Sequence, residues 1–394
     1  LILIYPILSF LREFFVSLTS SWILPFGEMQ INLFLRSTFS YLCQPLKRNR
    51  IMEITLQQTE SLRRMLETPA RRIVIVSHTN PDGDAVGSSL AWRDVLVRMG
   101  HRVTCVVPNR YPYFLDWMTG IDGIVTFKTD EKGVAASAIA EADIIFCLDF
   151  NAVSRLEILS DTLAGNTAAK RVLIDHHLSP DPDFDLMFSY PDSSSTCFVV
   201  YALIEKMFGT QIITPAMAEA LYVGMMTDTG NFSFSYLTPA LYRALAVLAE
   251  TGIDIPRIHN NVYNAYTEGR ARLFGYAIDR KMKLLEEGTV AYMSLLESEM
   301  RRFQFQQGDS EGFVNYALTI KKVKMSAMFL AHRKFIRVSL RSRGDVDVNL
   351  FARRYFNGGG HRNAAGGKSF VSMDDTIAHY VRSVREFAEA GGLG

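Results

Sequence analysis

Short apolar runs alternate with helical patterns along most of the chain. Residues 72–77, 103–107, 144–148 and 172–174 are apolar runs of strand length, and the segments between them, such as 85–99, have the apolar spacing of helices. Strands that alternate with helices predict a parallel sheet with helices on both faces. The pattern therefore indicates an α/β fold for the N-terminal part of the chain.

A second, smaller α/β pattern follows toward the C-terminus. Strands are predicted near residues 290–296 and 335–340, and the more charged segment before them has the pattern of a linking helix. This arrangement predicts two domains that face each other across a cleft. The predicted boundaries are 52–265 for the N-terminal domain, 266–285 for the linking helix and 286–392 for the C-terminal domain.

Residues 1–51 have a different character. They start with Leu, and their two apolar runs, 1–10 and 14–26, are each shorter than the ~18–20 residues of a membrane helix. A basic patch follows these runs and precedes Met52, which is the wrong order for a signal peptide. We interpret this segment as a non-native or unstructured hydrophobic extension, with a membrane anchor as the alternative.

Charge and cysteine content narrow the class of protein. The 394 residues include 42 Lys and Arg and 41 Asp and Glu, a net charge of +1, which argues against a broad basic face for long nucleic acid. A short, locally bound nucleotide stays possible. The four cysteines form no CxxC pair, which excludes zinc-finger and disulfide-scaffold proteins and favours a reducing compartment. We expect a cytoplasmic protein with no membrane partner.

Polar side chains gather where three of the predicted strands end and where one predicted helix ends. The strand ends supply His78, Asp82 and Asp84; Asp149; and Asp175, His176 and His177, and Asp228 closes an apolar helix. Taken alone, residues 80–83 are a good turn and Asp84 is a good helix N-cap. Because ligands bind beyond the carboxyl ends of parallel strands, we expect these side chains to meet at one sheet edge.

This set of side chains has the chemistry of a metal centre. Carboxylates combined with imidazoles suit Mn²⁺, Mg²⁺ or Fe²⁺ better than a thiolate-preferring ion. So many carboxylates would repel one another unless cations lay among them. Two divalent cations about 3.5–4 Å apart are the arrangement used for in-line attack on phosphorus.

The C-terminal part carries a second signature. The consecutive glycines 358–360 allow backbone N–H groups to approach an anion, and His361 could donate to a phosphate or a leaving oxygen. Arg341 and Arg343, near the end of a predicted strand, are candidate phosphate contacts. A glycine run is also typical of flexible loops, so this signal is weaker than the first.

Together these motifs resemble the DHH phosphoesterase family, which is named for the Asp-His-His present here at residues 175–177. The resemblance covers about Glu53 to Gly392 and includes the GGGH loop of a DHH-associated C-terminal domain. The two-domain layout is most similar to the branch of nanoRNases (oligoribonucleases) and 3′-phosphoadenosine 5′-phosphate (pAp) phosphatases. It lacks the additional domains of the single-strand DNA exonuclease branch.

The resemblance implies a role for each candidate residue. The metal ligands would be His78 and Asp82 for one cation, Asp84, His176 and Asp228 for the other, and Asp149 as the bridge. Asp175 would orient His176. His177 would face the substrate phosphate, and His361 and Arg341 would reach the nucleotide across the cleft. The substrate contacts would be Gly358, Gly359, Gly360, His361, Arg341, Arg343 and Asn231.

The resemblance also implies an activity. We expect a manganese-dependent phosphodiesterase with two Mn²⁺ per active site (Mg²⁺ or Fe²⁺ as alternatives) that uses in-line attack by water. It would act as an exoribonuclease on nanoRNA, releasing mononucleotides, and as a bisphosphate nucleotidase that converts pAp to AMP. The alternative is a phosphodiesterase for cyclic di-AMP or linear pApA; a manganese pyrophosphatase and a non-catalytic nucleotide-binding regulator are less favoured. The expected partners are short single-stranded RNA or a nucleotide, and a second copy in a homodimer.

Overall fold

The structure, a computed structural model, describes residues 52–68, 70–233 and 236–394, so the interpretation of residues 1–51 lies outside the described residues. The strands are β1 Arg72–Ser77, β2 Arg102–Val107, β3 Ile124–Thr126, β4 Ile144–Leu148, β5 Lys170–Asp175, β6 Leu186–Ser189, β7 Lys283–Leu285, β8 Val290–Leu295, β9 Met325–His332, β10 Phe335–Ser342, β11 Gly359–His361 and β12 Ala364–Ser369. They form two sheets of six strands each.

The α-helices are α1 Leu56–Leu66, α2 Gly83–Arg98, α3 Val134–Glu141, α4 Ser160–Gly165, α5 Thr196–Phe208, α6 Pro215–Asp228, α7 Pro239–Glu250, α8 Ile255–His259, α9 Glu268–Tyr276, α10 Glu297–Arg302, α11 Phe313–Tyr316, α12 Val348–Tyr355 and α13 Met373–Glu389. Within the described residues, none of them is both long enough and apolar enough to cross a membrane.

The N-terminal sheet is parallel throughout, in the order β3-β2-β1-β4-β5-β6. Alternate residues of its strands face two separate cores, as Ile73 and Val74 of β1 show. Helices α2, α5 and α6 cover one face, and α3 and α4 cover the other. The prediction of a parallel sheet with helices on both faces is confirmed. The short strands β3 and β6 were not predicted, because three or four residues carry too little periodicity.

The strand order of the N-terminal sheet fixes where a ligand can bind. Strand β1 pairs with β2 on one side and with β4 on the other, so the chain order reverses at β1. The reversal opens a crevice beyond the carboxyl ends of these two strands, since their connections leave toward opposite faces. The residues that follow β1 and β4 therefore line one crevice.

The C-terminal sheet is mixed, in the order β11-β12-β10-β9-β8-β7. Helices α12 and α13 cover one face with Phe351, Tyr380 and Phe387, and Phe313 lies in a second core on the other face of β8 and β9. The segment predicted as a linking helix contains α9, a π-helical turn and then β7, which starts at Lys283. The part of the second face formed by β10, β11 and β12 is turned toward the N-terminal sheet and carries His361.

Candidate metal centre and active site

The loop after β1 places three candidate ligands within seven residues. His78 is buried directly after the strand. Asp82 is the N-cap of α2, and its Oδ1 accepts hydrogen bonds from the backbone N–H groups of Asp84 and Ala85 at 3.0 and 3.1 Å. The N-cap of α2 is therefore Asp82, and the prediction that Asp84 is the helix N-cap was wrong. Asp84 lies in the first turn of α2. Its carboxylate does not cap that helix and can accept hydrogen bonds from another helix.

Asp84 joins α2 to the start of α5. Its carboxylate accepts the backbone N–H of Thr196 at 2.6 Å and that of Cys197 at 2.8 Å. The positive end of a helix favours such an anion. The neighbouring helix α6 approaches closely because residue 224 is glycine: a Cβ there would lie 2.7 Å from Asp84 Oδ1. This close approach brings the C-terminal end of α6, with Asp228, to the same place.

Asp149 lies at the centre of the cluster. It follows β4 with a φ of 64°, a left-handed conformation that Asp adopts more readily than most residues. The side chain is buried, and its Oδ1 accepts a hydrogen bond from the Thr196 hydroxyl at 2.9 Å. Its oxygens lie 3.4 Å from His78 Nε2 and 3.6 Å from His176 Nε2.

The orientation of two histidines suits a bound cation. Nδ1 of His78 lies 2.9 Å from the Thr79 carbonyl, and Nδ1 of His176 lies 3.2 Å from the Ser193 carbonyl. Because a carbonyl only accepts, each Nδ1 carries a proton, and Nε2 is the ring atom that can bind a metal. Each Nε2 faces carboxylate oxygens, including Asp228 Oδ2 at 3.2 Å from His176 Nε2. An imidazole nitrogen and a carboxylate oxygen face each other favourably with a proton or a metal cation between them, so this donor set fits divalent metal ions.

The candidate ligands form two groups that share one residue. Ligand atoms of His78, Asp82 and Asp149 lie within 4.8 Å of one another, and so do those of Asp84, Asp149 and His176. Asp228 joins the second group through its contact with His176. The structure thus brings all six predicted ligands together, with Asp149 in both groups. The predicted assignment of ligands to two cations stays a prediction.

The cluster is electrostatically costly without bound cations. Burial, together with neighbouring carboxylates, raises the pKa of Asp84 and of Asp228 to about 7 and that of Asp149 well above its usual range. Burial lowers the pKa of His78 to about 4. These shifts disfavour the ionised carboxylates and the protonated imidazole, as expected when charges are removed from water. A cation in the cluster would reverse the effect on the carboxylates.

The expected role of Asp175 is corrected by its contacts. Its Oδ1 accepts a hydrogen bond from His177 Nδ1 at 2.7 Å, and its Oδ2 accepts the His177 backbone N–H at 3.0 Å. His176 is instead oriented by the Ser193 carbonyl. Burial opposes ionisation of Asp175, but the charge and hydrogen bonds of His177 outweigh it and lower the pKa of Asp175. Asp175 therefore orients His177, because alternate positions at the strand end point the same way.

Replacing Asp175 by Asn is expected to lower kcat by about 10- to 100-fold, the usual cost of losing a residue that orients a ligand. The neutral amide no longer holds the Nδ1–H tautomer of His177. Metal affinity, measured by calorimetric titration, should change less than kcat, since His177 is not one of the six predicted ligands. An equal loss in an Asp161→Asn control, at the exposed start of α4, would contradict this role.

His361 approaches the centre from the C-terminal sheet. Its ring lies 4.6 Å from that of His176 and stacks on His177 at 4.7 Å with an interplanar angle of 27°. Burial, followed by the nearby histidines, lowers the pKa of His361 well below its usual value, so the ring is neutral at pH 7. Arg341 faces the same centre, and burial lowers the pKa of its guanidinium, an effect that Glu311 opposes most strongly, followed by Asp228 and Asp82.

Two of the remaining predicted substrate contacts, Gly358 and Gly360, use their backbone N–H groups within the C-terminal domain. The N–H groups of Gly358 and Gly360 are already bonded, to the Ala352 carbonyl at 3.1 Å and to Asn349 Oδ1 at 3.0 Å. This corrects the expectation that they are offered to an anion. A Cβ on Gly358 would lie 1.9 Å from the Gly366 carbonyl, so the glycine is required by strand packing.

Asn231 and Arg343 are not brought to the centre by any contact in the described part of the chain. Asn231 follows α6 with a φ of 57°, and its N–H donates to the Met226 carbonyl at 2.8 Å. Arg343 is exposed beyond the end of β10. Their roles as substrate contacts, like that of Gly359, stay predictions.

Sequence reasoning missed the residues that hold the ligands in place. Thr196 and Ser193 are examples, since they bond Asp84, Asp149 and His176. The only signal was the polar run 193–196 before an apolar helix, in which Ser195 is the N-cap. That signal predicts where a helix starts, but it does not reveal which distant side chains these residues bond.

Comparison with known proteins supports the same interpretation of the fold. Residues 72–225 match the N-terminal domain of the DHH family, and residues 287–387 match the DHHA1 domain. Two relatives named bifunctional oligoribonuclease and PAP phosphatase NrnA are each 27% identical to this chain. The one from Thermus thermophilus matches over 80% of this chain and 89% of its own, and the one from Bacillus subtilis over 77% and 90%.

A solved structure is also similar. An exopolyphosphatase-related protein from Bacteroides fragilis has 38% sequence identity and a TM-score of 0.79, covering 85% of this chain and 97% of its own. The chain belongs to the DHH family and has its two-domain DHH and DHHA1 architecture. It is a phosphoesterase of that family, and its described residues include acidic and histidine groups that could hold a metal ion.

Proposed function

We propose that this protein hydrolyses short oligoribonucleotides to mononucleotides and pAp to AMP. The observation that carries the proposal is the stack of His361 on His177 above the buried carboxylates. This contact brings the C-terminal sheet over the candidate centre, and a centre covered on that side suits a short substrate better than a long polymer. The names of the relatives in Thermus thermophilus and Bacillus subtilis support the same substrate class.

The cations would be held by the six ligands of the two groups. Divalent ions bound there would lower the pKa of a water molecule and polarise the phosphoryl oxygens. The geometry favours Mn²⁺ or a similar ion, because the donors are imidazole nitrogens and carboxylate oxygens without a thiolate. Cys197, the cysteine nearest the cluster, has its pKa raised far above its usual value by burial, so its thiol stays protonated.

The protein's own residues would bind and orient the phosphate. Asp175 holds the Nδ1 proton of His177, which leaves Nε2 of that ring available to a phosphate oxygen or its proton. Neutral His361 can donate its single N–H to the leaving oxygen. The Arg341 guanidinium would neutralise phosphate charge in a site from which water is largely excluded.

The test is product analysis with the full-length chain and Mn²⁺. We expect mononucleotides from 5′-phosphorylated RNA of two to five nucleotides, AMP from pAp, and little action on a 24-mer. Preferential cleavage of cyclic di-AMP or pApA would replace the proposal by a second-messenger phosphodiesterase. Release of phosphate from pyrophosphate alone would identify a pyrophosphatase, and nucleotide binding without any turnover would identify a regulator.

A further inference from the structure

One face of the C-terminal sheet begins at the metal centre and carries cations along its length. Cross-strand partners share a face, and so do residues two apart in one strand. His361 is paired with Ala364, Ala364 with Arg341, and Arg337 with Lys368. We call the surface formed by His361, Arg341, Arg337 and Lys368 the cationic face. Lys368 is four residues beyond Ala364 in β12, which is ~13 Å along the strand from the His361 row.

The distal end of the cationic face places two cations side by side. Glu311 lines the same pocket as Arg337 and Arg341, without an ion pair to Arg337 among the described residues. Arg337 and Lys368 are direct cross-strand partners, an arrangement in which like charges repel. Within the described residues, the Arg337 side chain has neither an ion pair nor a hydrogen bond. Lys368 Nζ is paired with Glu157 Oε1 at 2.7 Å and lies 4.9 Å from the centre of the Phe335 ring. Glu157 therefore supplies the only carboxylate paired with either cation in the described part of the chain.

Glu157 belongs to the other side of the cleft. It lies in the segment after β4, which is attached to the metal-binding loop through the hydrogen bond from the Thr79 N–H to the Arg155 carbonyl at 2.9 Å. Its backbone has φ 46° and ψ −106°, a conformation that L residues rarely adopt. Such strain persists where the surroundings impose it, and it is common at functional sites. The pair Glu157–Lys368 thus closes the cleft at the end opposite to His361.

The exposure of the Glu157–Lys368 ion pair allows another anion to replace the Glu157 carboxylate at Lys368. The side chains of Lys368 and Glu157 keep 37% and 40% of their exposure to water. Exposed ion pairs contribute little stability, so a competing anion of higher charge can replace the carboxylate. A phosphate offers more acceptor oxygens than a carboxylate, and the unpaired Arg337 beside Lys368 can bind it bidentately.

We propose that Lys368 determines substrate length by exchanging Glu157 for a substrate phosphate. The inference rests on the proposed function and deepens it. With pAp or a dinucleotide held at His361 and Arg341, the substrate ends before Lys368 and the Glu157–Lys368 pair stays intact. RNA of three or more nucleotides places a further phosphate near Lys368 and Arg337. That phosphate then displaces Glu157 from Lys368. Longer substrates therefore gain a contact with Lys368, and they must break the Glu157–Lys368 ion pair to form it.

The two partners of the pair should have opposite effects when neutralised. In Lys368→Met the distal phosphate loses its cation, and the ratio of kcat/KM for a pentanucleotide to that for pAp should fall about tenfold, or about 1.4 kcal/mol. In Glu157→Gln the competing carboxylate is gone, and the same ratio should rise by a few-fold. Pentanucleotide binding, followed by fluorescence anisotropy, should change in the same directions. Its salt slope should fall by about 0.7 in Lys368→Met, as expected for one lost phosphate contact.

The matched control is Lys170→Met, which breaks a similar exposed pair with Asp185 (2.6 Å) at the far edge of the N-terminal sheet and should leave the ratio unchanged. If both Lys368→Met and Glu157→Gln shift the ratio in the same direction, the pair is only a structural tie and the inference is wrong. If the unaltered protein turns over neither substrate, the proposed function fails by itself. The anisotropy measurements then still decide the role of Lys368, because opposite changes in pentanucleotide affinity support it and parallel changes overturn it.

Discussion

Asp149→Asn is expected to lower kcat/KM at least about a thousandfold while the protein stays folded. Asp149 is the residue shared by both ligand groups, so its loss weakens both at once. A thousandfold corresponds to about 4 kcal/mol of transition-state stabilisation, within the several kcal/mol that bound cations supply. Asn keeps the shape, accepts the Thr196 hydroxyl hydrogen bond and tolerates the left-handed backbone better than Ala.

The control for this variant is Asp185→Asn, which removes a carboxylate paired with Lys170 at the opposite edge of the same sheet. Activity should be retained in the control, and calorimetric titration with Mn²⁺ should show a loss of binding only in Asp149→Asn. Turnover within about tenfold of the unaltered protein, in a folded Asp149→Asn sample saturated with Mn²⁺, would contradict the central role of Asp149.

Without divalent metal, the buried carboxyl groups are expected to contribute less stability as the pH rises from about 4 to about 7. Burial raises the pKa of Asp84 and Asp228 from 3.8 to about 7 in the folded chain. Between these values the folded carboxyl groups bind protons that the unfolded chain has released, so their contribution decreases with increasing pH and is lost above the folded pKa values. The lowered pKa values of His78 and His361 act in the opposite direction below about pH 6.5, because the unfolded imidazoles bind protons that the folded ones do not.

The measurement is the melting temperature in EDTA and in Mn²⁺ across this pH range. Metal binding to the ionised carboxylates should offset the loss, so the difference between the two conditions should grow toward pH 8, to about 5 °C or more. Asp149→Asn removes a carboxylate whose pKa is raised by burial, and its melting temperature in EDTA should depend less on pH. A melting temperature in EDTA that has the same pH dependence in Asp149→Asn as in the unaltered protein would contradict the proposed electrostatics.

Much of the N-terminal fold could be predicted because its elements carry strong local patterns. The runs at β1, β2, β4 and β5 are long enough to show their character, and β1, β4 and β5 are each followed by a polar residue. Strands β3 and β6 are short, and their pairing depends on neighbours distant in sequence. The C-terminal sheet was predicted only in part, because β11 and β12 are glycine-rich and form through cross-strand packing, as Gly358 against Gly366 shows.

The identity of the candidate ligands could be predicted for a related reason. Each one follows a strand or ends a helix, and parallel strands bring their carboxyl ends to one edge. Their partners could not be predicted. Asp175 and His176 are neighbours in sequence, yet Asp175 bonds His177, and His176 bonds the Ser193 carbonyl. Side-chain direction at the end of a strand depends on the backbone beyond it, which local sequence does not specify.

The sequence alone determined the α/β class, the six candidate ligands and the family resemblance, since these depend on residue type and spacing. Only the tertiary structure decided which atoms face one another. It placed Nε2 of His78 and of His176 against carboxylates, bonded the N–H groups of Gly358 and Gly360 within the C-terminal domain, and paired Lys368 with Glu157. These contacts join residues far apart in the chain, so their geometry follows from how the two sheets and their helices pack.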